Sequence, residues 1–506
     1  MFKCIVVGGG TAGWLSALYA QKYIPYVDIT VIASSEIGIL GAGEGTTPYF
    51  VNFLKEIDVP VDGVIKHAKG TFKNGIKFVN WNGDGKQYVH GFLDNHGPNA
   101  DLDFKDMAPL YLDSIVDDDN CNKVNLTSRI SDEYKIKIKK DTDDTCGEYA
   151  LHFDANLLAK YLESVAISRG VKLIDDEVLT INNDNNGNVK SFDLKSGLNI
   201  EADFVFDCTG FKRLIIGNHF KTKWNSYKDV LPVNRAMPFF IEHDDTNIPP
   251  YTYAIAMKYG WVWKIPVQGR FGCGYVFDSS MVTDEQILEE LTEYLGYEPT
   301  IPRVFNFEAG AYDQIWVKNC VAVGLSSGFI EPLEATSIWV AINTVRDVVN
   351  NLGKYVLESP KGMEYCNERN RVTNEGIVSF LYFHYISKRQ DSEFWKTFTT
   401  KNKMPEFIQK LYEFSKRTFP KPHDFSYLFN TIDHRIMDHS HWAFSSISYY
   451  QVGSGIGFYD KNVAQKELAE CKLDYKSVKT KLLGLFDDIS KDLHKHDDYI
   501  KILKNV

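Results

Sequence analysis

Cys4-Ile-Val-Val-Gly8-Gly-Gly10-Thr11-Ala12-Gly13-Trp14 opens this chain. Four consecutive apolar residues read as a strand buried on both faces. The glycine run that follows has the spacing GxGxxG at Gly8, Gly10 and Gly13. Trp14 to Tyr23 then carries apolar residues at helical spacing, and Asp28 to Ile32 reads as a second strand. Strand, glycine loop, helix and strand make a βαβ opening. The glycines permit the tight turn, the approach of a pyrophosphate and close helix–strand packing, and the helix N-terminus favours phosphate charge. The pattern predicts a dinucleotide site. The acidic residue that such sites place at the end of the second strand, for ribose hydroxyls, is Ala33 here; Ser34, Ser35 or Glu36 are the substitutes in reach.

Working outward, His152 to Arg169 reads as an amphipathic helix. Val171–Ile181 and Val189–Leu194 flank Asn182 to Gly187, a hairpin signal. Phe204-Val-Phe-Asp-Cys-Thr-Gly210 and Cys320 to Val323 are short strands running into Gly210 and Gly324. Residues 232–275 read as further sheet, and 113–149, polar and acid-rich, as a surface excursion. From Ser337 onward the pattern is helical. The expected fold is α/β: a Rossmann-type module with a mixed sheet over 1–345, and a mainly helical part over 346–506 packed on it as one body.

Composition bounds the function. The 506 residues are 44% hydrophobic and 24% charged, as globular chains are. A net charge of −11 argues against nucleic-acid and anionic-membrane partners. Eight cysteines form no CxxC pair, so no metal site is expected. With no signal peptide before Cys4 and no apolar run of spanning length, a cytoplasmic protein is the expectation.

The second informative stretch is Gly260-Trp261-Val262-Trp263-Lys264-Ile265-Pro266. In a strand, Trp261 and Trp263 face the same side. Taken with the opening loop, this WxWxIP string resembles the flavin-dependent halogenases of the tryptophan-halogenase type. Further segments carry the likeness in order from residue 3 to about 395. Gly41-Ala-Gly43-Glu44-Gly-Thr-Thr-Pro48 is similar to the family's GxGEATxP loop. Thr71 to Trp81 resembles the segment with its essential lysine, mapping that residue to Lys73 rather than Lys77. His152-Phe-Asp-Ala155, Asp207-Cys-Thr-Gly210 and Gly324 to Ser337 resemble its HFDA, DCSG and GLSSxFxEPLESTG strings, and Ser387 to Trp395 its TSRxDxxFW stretch.

The resemblance implies an aromatic-hydroxylase-like FAD fold, with Gly8, Gly10, Thr11, Ala12, Gly13, Ala33, Gly43, Glu44, Gly210, Gly324 and Ile338 at the cofactor. It implies that FADH2, delivered by a separate flavin reductase, reacts with O2 to a C4a-hydroperoxide. Halide ion then gives hypohalous acid, which moves through an internal tunnel to Lys73. Lys73 would hold the electrophilic halogen and Glu334 would take the ring proton of an aromatic small molecule. Trp261, Trp263, Ile265 and Pro266 would wall the flavin from the substrate. Taken alone, Lys73 also suits a snorkelling side chain, Glu334 a helix N-terminal charge and Thr336 a cap.

Two departures from the family pattern stand out. The halide-binding Thr-Gly reads Thr336-Ser337, which points to bromide, and iodide with it, competing well with or outperforming chloride, since glycine lets backbone approach a small anion most closely. His90 and Phe92 match a substrate-site pair, but the carboxylate expected for a substrate ammonium becomes Met437, beside His441 and Trp442. A free amino acid would leave its charges without partners there. A hydroxylating flavin monooxygenase and a catalytically silent flavin-binding protein are the alternative functions.

Overall fold

The computed structural model describes residues 1–36, 43–92, 104–117, 124–356, 360–400, 402–429 and 444–505. Two compact units are each assembled from three stretches: residues 1–70, 153–227 and 308–374 form the first, and 71–152, 228–307 and 375–506 the second. The boundary expected near residue 345 falls inside the helix Thr336–Val356, within the first unit.

The first unit is built on a six-stranded sheet in the order Trp316–Val317, Cys320–Ala322, Phe204–Asp207, Phe2–Val7, Val27–Ala33, Lys172–Asp175. All neighbours are parallel except the edge strand Trp316–Val317. Cys4, Ile5, Val6 and Val7 in the centre are all buried, which is why the first strand is apolar without alternation. The helix Thr11–Tyr23 packs against Ala155–Ser168 and Thr336–Val356. The helix expected from His152 starts instead at Ala155. The Asp154 carboxylate caps it, accepting the amides of Asn156 and Leu157, and His152 lies on the preceding strand Ala150–Asp154. The hairpin pairs Val178–Asn183 with Val189–Leu194.

The second unit carries a seven-stranded sheet in the order Phe305–Asn306, Arg235–Glu242, Arg270–Phe277, Gly260–Val267, Thr252–Ala256, Gly75–Val79, Gln87–Gly91. Within the segment 113–149, expected as a surface excursion, residues 124–149 are instead partly core. They contribute the helix Leu126–Ser131 and the strand Lys135–Lys139, and Leu126, Ile130 and Ile136 are fully buried. In Lys135-Ile-Lys-Ile-Lys139 the apolar residues alternate with lysines, yet Lys137 is as fully buried as Ile136, its Nζ donating to the Phe92 carbonyl at 3.0 Å, so the charges obscure a strand buried along its centre. Among the described elements after Thr336 all are helical except the strand Leu493–Lys495. Among the described residues no helix is long and apolar enough to cross a membrane, and no cluster of His, Cys, Asp and Glu has metal-ligand geometry.

Candidate active site

In the first unit, three loops leave the C-terminal ends of adjacent parallel strands, where open α/β sheets bind their ligands. They are Gly8–Gly13, Cys208–Gly210 and Gly324–Ser326. Gly8 has φ +118°, and a Cβ there would sit 2.2 Å from the Cys208 carbonyl oxygen. At Gly13 a Cβ would sit 2.0 Å from the carbonyl oxygen of Gly8, so helix and strand meet backbone to backbone. Gly10 is the opposite case: nothing lies within 4 Å of its would-be Cβ. The helix that follows has no side-chain N-cap, leaving first-turn amides for an anion. Two packed glycines and one facing open space suit a dinucleotide pyrophosphate.

Asp207, fully buried, holds the neighbouring loop in place. Its Oδ1 accepts from the amide and hydroxyl of Thr209, and its Oδ2 from the amides of Ile215 and Ile216. Gly324 lies against Ala12, its would-be Cβ 2.9 Å from the alanine methyl. Ala33 ends its strand beside Gly9. Of the substitutes for a ribose-binding acid, Ser35 gives its amide to Asp175, and Glu36 is exposed and pairs with Lys195 at 3.3 Å. Glu44, on the strand Gly43–Gly45, is pushed up to about 7 by burial and then by Asp154.

The segment Leu333–Ser337 shows what the sequence does not. Glu334 and Ala335 both adopt left-handed conformations, with φ of +69° and +54°. Non-glycine residues enter this region at a cost of about 1 kcal/mol or more, and such strain gathers at functional sites. Glu334 is 5% exposed. Thr336 and Ser337 begin the 21-residue helix Thr336–Val356, and their amides lie at its positive end. Ser337 is not among the positive-φ residues, so serine takes this position without strain. Ile338 is buried one residue further on.

In the second unit Lys73 is completely buried on the three-residue strand Thr71–Lys73, its Nζ 5.6 Å from the centre of the Phe92 ring. This strand pairs antiparallel with Ala150–Asp154. Two neutral histidines hold it. The Thr71 hydroxyl donates to the Pro266 carbonyl at 2.6 Å, so it accepts from His152 Nδ1 at 3.1 Å. His152 Nε2 in turn accepts from the Thr252 hydroxyl at 2.9 Å. Burial, then Lys73 and His496, lower the His152 pKa well below its ordinary value. His496 accepts from the amide of Phe72 at 2.7 Å, and burial brings it down to about 4. A fixed neutral tautomer makes each imidazole a structural clasp for the lysine strand.

Trp261 and Trp263 stand side by side as expected, ring centres 6.4 Å apart. The Trp261 indole donates to Tyr385 Oη at 2.9 Å. Trp263 lies over Gly274, where a Cβ would come within 2.1 Å of its ring. Ile265 and Pro266 continue the strand. His90 packs against Phe380 and Phe444. Met437, His441 and Trp442, expected at the substrate, lie outside the described residues. Of the residues expected at the cofactor and halide, Gly8, Gly10, Thr11, Ala12, Gly13, Ala33, Gly43, Glu44, Gly210, Gly324, Thr336, Ser337 and Ile338 fall in the first unit, as does the expected catalytic base Glu334. Lys73, His90, Phe92 and the tryptophan pair fall in the second. His496, Thr252 and Tyr385 carry no sequence signal for their roles; only the fold brings them to these positions.

A parallel α/β sheet with an open glycine cradle at its strand ends defines a dinucleotide-binding fold. The tryptophan halogenase family model matches residues 3–470. Tryptophan 7-halogenase RebH of Lentzea aerocolonigenes is 32% identical over 424 residues, covering 78% of this chain and 78% of its own length. Tryptophan 6-halogenase SttH of Streptomyces toxytricini is 30% identical over 426 residues, covering 79% and 81%. Among solved structures, Tar14, a tryptophan C-6 flavin-dependent halogenase from taromycin biosynthesis, superimposes with a TM-score of 0.88 at 26% identity, covering 100% of each chain. The chain belongs to the tryptophan halogenase family and is an enzyme of the flavin-dependent halogenase class.

Proposed function

We propose that this enzyme halogenates an aromatic small molecule other than free tryptophan, with Lys73 as halogen carrier and Glu334 as base. The observation that carries the reading is a fully buried lysine held on a clasped strand, its Nζ above an aromatic ring. Bound reduced FAD, with O2 and halide, supplies hypohalous acid. Thr336 and Ser337 offer helix-end amides to the halide, and the serine favours bromide or iodide over chloride. The Lys73 amine binds the electrophilic halogen, by hydrogen bond or as a haloamine, and presents it to one ring carbon. The Glu334 carboxylate stabilises the ring cation and accepts its proton. Trp261 and Trp263 are the wall that keeps flavin chemistry off the substrate. His90 and Phe92 line the substrate side, with Met437, His441 and Trp442 as its further candidates.

The chain carries a single dinucleotide fingerprint, so its reductant comes from a separate flavin reductase. The purified enzyme with FAD is expected to leave NADH and NADPH essentially unoxidised, and to form product once reduced FAD is supplied. The test follows NAD(P)H absorbance and product mass with and without bromide. Rapid NAD(P)H oxidation by this protein alone, with a product heavier by one oxygen, would establish a hydroxylase instead.

Substrate preference gives a further expectation. Met437 stands where a carboxylate would meet an amino-acid ammonium. Free tryptophan should therefore be at least about tenfold poorer in kcat/KM than indoles or phenols without a zwitterion, because an unpaired buried charge costs more than a kilocalorie or two. Steady-state kinetics with tryptophan, indole and phenol decides this. Efficient conversion of tryptophan at one ring position would remove the role given to Met437.

A further inference from the structure

The backbone just before Lys73 contains an irregularity that its own residues do not explain. Asn74 donates its amide directly to the Pro250 carbonyl at 2.7 Å, immediately before Gly75–Val79 pairs in parallel with Thr252–Ala256. Two residues back on both chains, the same spacing would bring the Phe72 amide to the Ile248 carbonyl. These groups do not meet. The His496 imidazole stands between them, Nε2 accepting from Phe72 at 2.7 Å and Nδ1 donating to Ile248 at 3.0 Å. A carbonyl only accepts, so Nδ1 carries the proton and the ring is neutral. The two backbones are held one imidazole apart at the residue preceding Lys73.

His496 is itself firmly placed. Its amide donates to Tyr134 at 2.8 Å, and the strand leading to it, Leu493–Lys495, pairs with Lys135–Lys139. Asn74 also ties to Lys135, its Nδ2 3.0 Å from that carbonyl. The Phe72 ring packs between Tyr149 and Tyr499, with ring centres 5.4 and 5.7 Å away. His496 is fully buried and lies beyond residue 470, where the match to the family model ends.

We propose that His496 is a positioning residue for Lys73, an imidazole spacer that holds the strand pair open and fixes the direction in which the lysine leaves its strand. The inference rests on Lys73 as the halogen carrier. Misplacement of a reacting group by about 1 Å can cost on the order of a hundredfold in rate. A displaced lysine would fail to hold the halogen, while halide oxidation upstream continues.

The test uses the full chain with reduced FAD, bromide and indole as probe. It measures brominated indole per FADH2 consumed, together with free hypobromous acid caught by a soluble β-diketone. His496→Leu is expected to lower bromoindole per FADH2 about tenfold and to raise trapped hypobromous acid, with flavin consumption unchanged. His496→Gln can accept from Phe72 and donate to Ile248, and is expected to restore coupling to within about twofold of the parent. A merely structural role would lower both readouts along with the melting temperature. Parental coupling in His496→Leu overturns the proposal, as does uncoupling shared by a normally melting His496→Gln. If His496→Leu does not fold, His496→Asn takes its place with the same expected loss, because its side chain is too short to reach both partners. Lys73→Met in parallel separates the two readings. Bromination retained there removes the premise; bromination lost there but kept in His496→Leu overturns only the role of His496.

Discussion

Replacing Lys73 with methionine should abolish enzyme-directed ring halogenation, by on the order of a thousandfold or more once free hypohalite is scavenged, while FADH2 consumption and hypohalite formation persist. The substitution keeps most of the aliphatic volume and removes only the ammonium. Lys73 is completely buried beside Phe92, and a buried ammonium carries a desolvation cost that a thioether does not. The variant should still fold and turn over flavin, so folding and ring halogenation are expected to move apart. Product quantification with indole and bromide, beside a thermal melt, makes the measurement. Near-parental halogenation would take the lysine out of the mechanism. Loss of halogenation together with flavin turnover and melting temperature would give Lys73 a structural role only.

The second large effect concerns the cofactor cradle and separates two glycines three residues apart. In Gly13→Ala the new methyl would sit 2.0 Å from the Gly8 carbonyl oxygen, a backbone atom that cannot rotate away. This variant should lose about 3 kcal/mol of stability or more, and with it flavin binding. At Gly10 the backbone, with φ of −81°, suits alanine, and nothing lies within 4 Å of the added carbon. Gly10→Ala should therefore fold with stability within about 0.5 kcal/mol of the parent. Its FAD affinity should nevertheless fall at least about tenfold, roughly 1.4 kcal/mol, because the methyl occupies the approach of the pyrophosphate. Equilibrium binding of FAD and thermal melts on both variants check the pair. Parental FAD affinity in Gly10→Ala would mean that the pyrophosphate does not pass that face.

What the sequence by itself determined was local. Strand, glycine loop, helix and strand all lie within the first 33 residues, and each follows from apolar runs, spacing and the absence of side chains at Gly8 and Gly13. The shared face of Trp261 and Trp263 follows from the two-residue repeat of a strand. Only the tertiary structure decided the rest. His496 reaches Phe72 across 424 positions, and no periodicity records a contact of that separation. The left-handed turn at Glu334 and Ala335 is invisible to composition, because neither residue type favours it; the surrounding packing imposes it. The strand Lys135–Lys139 falls in a stretch whose polar, acid-rich composition reads as a surface excursion, yet Ile136, Lys137 and Ile138 are all buried. Asp154 turned an expected helix start into a strand end by capping two amides. Local chemistry specifies the elements, but the geometry around a buried lysine depends on which distant groups meet it, and that is settled by folding alone.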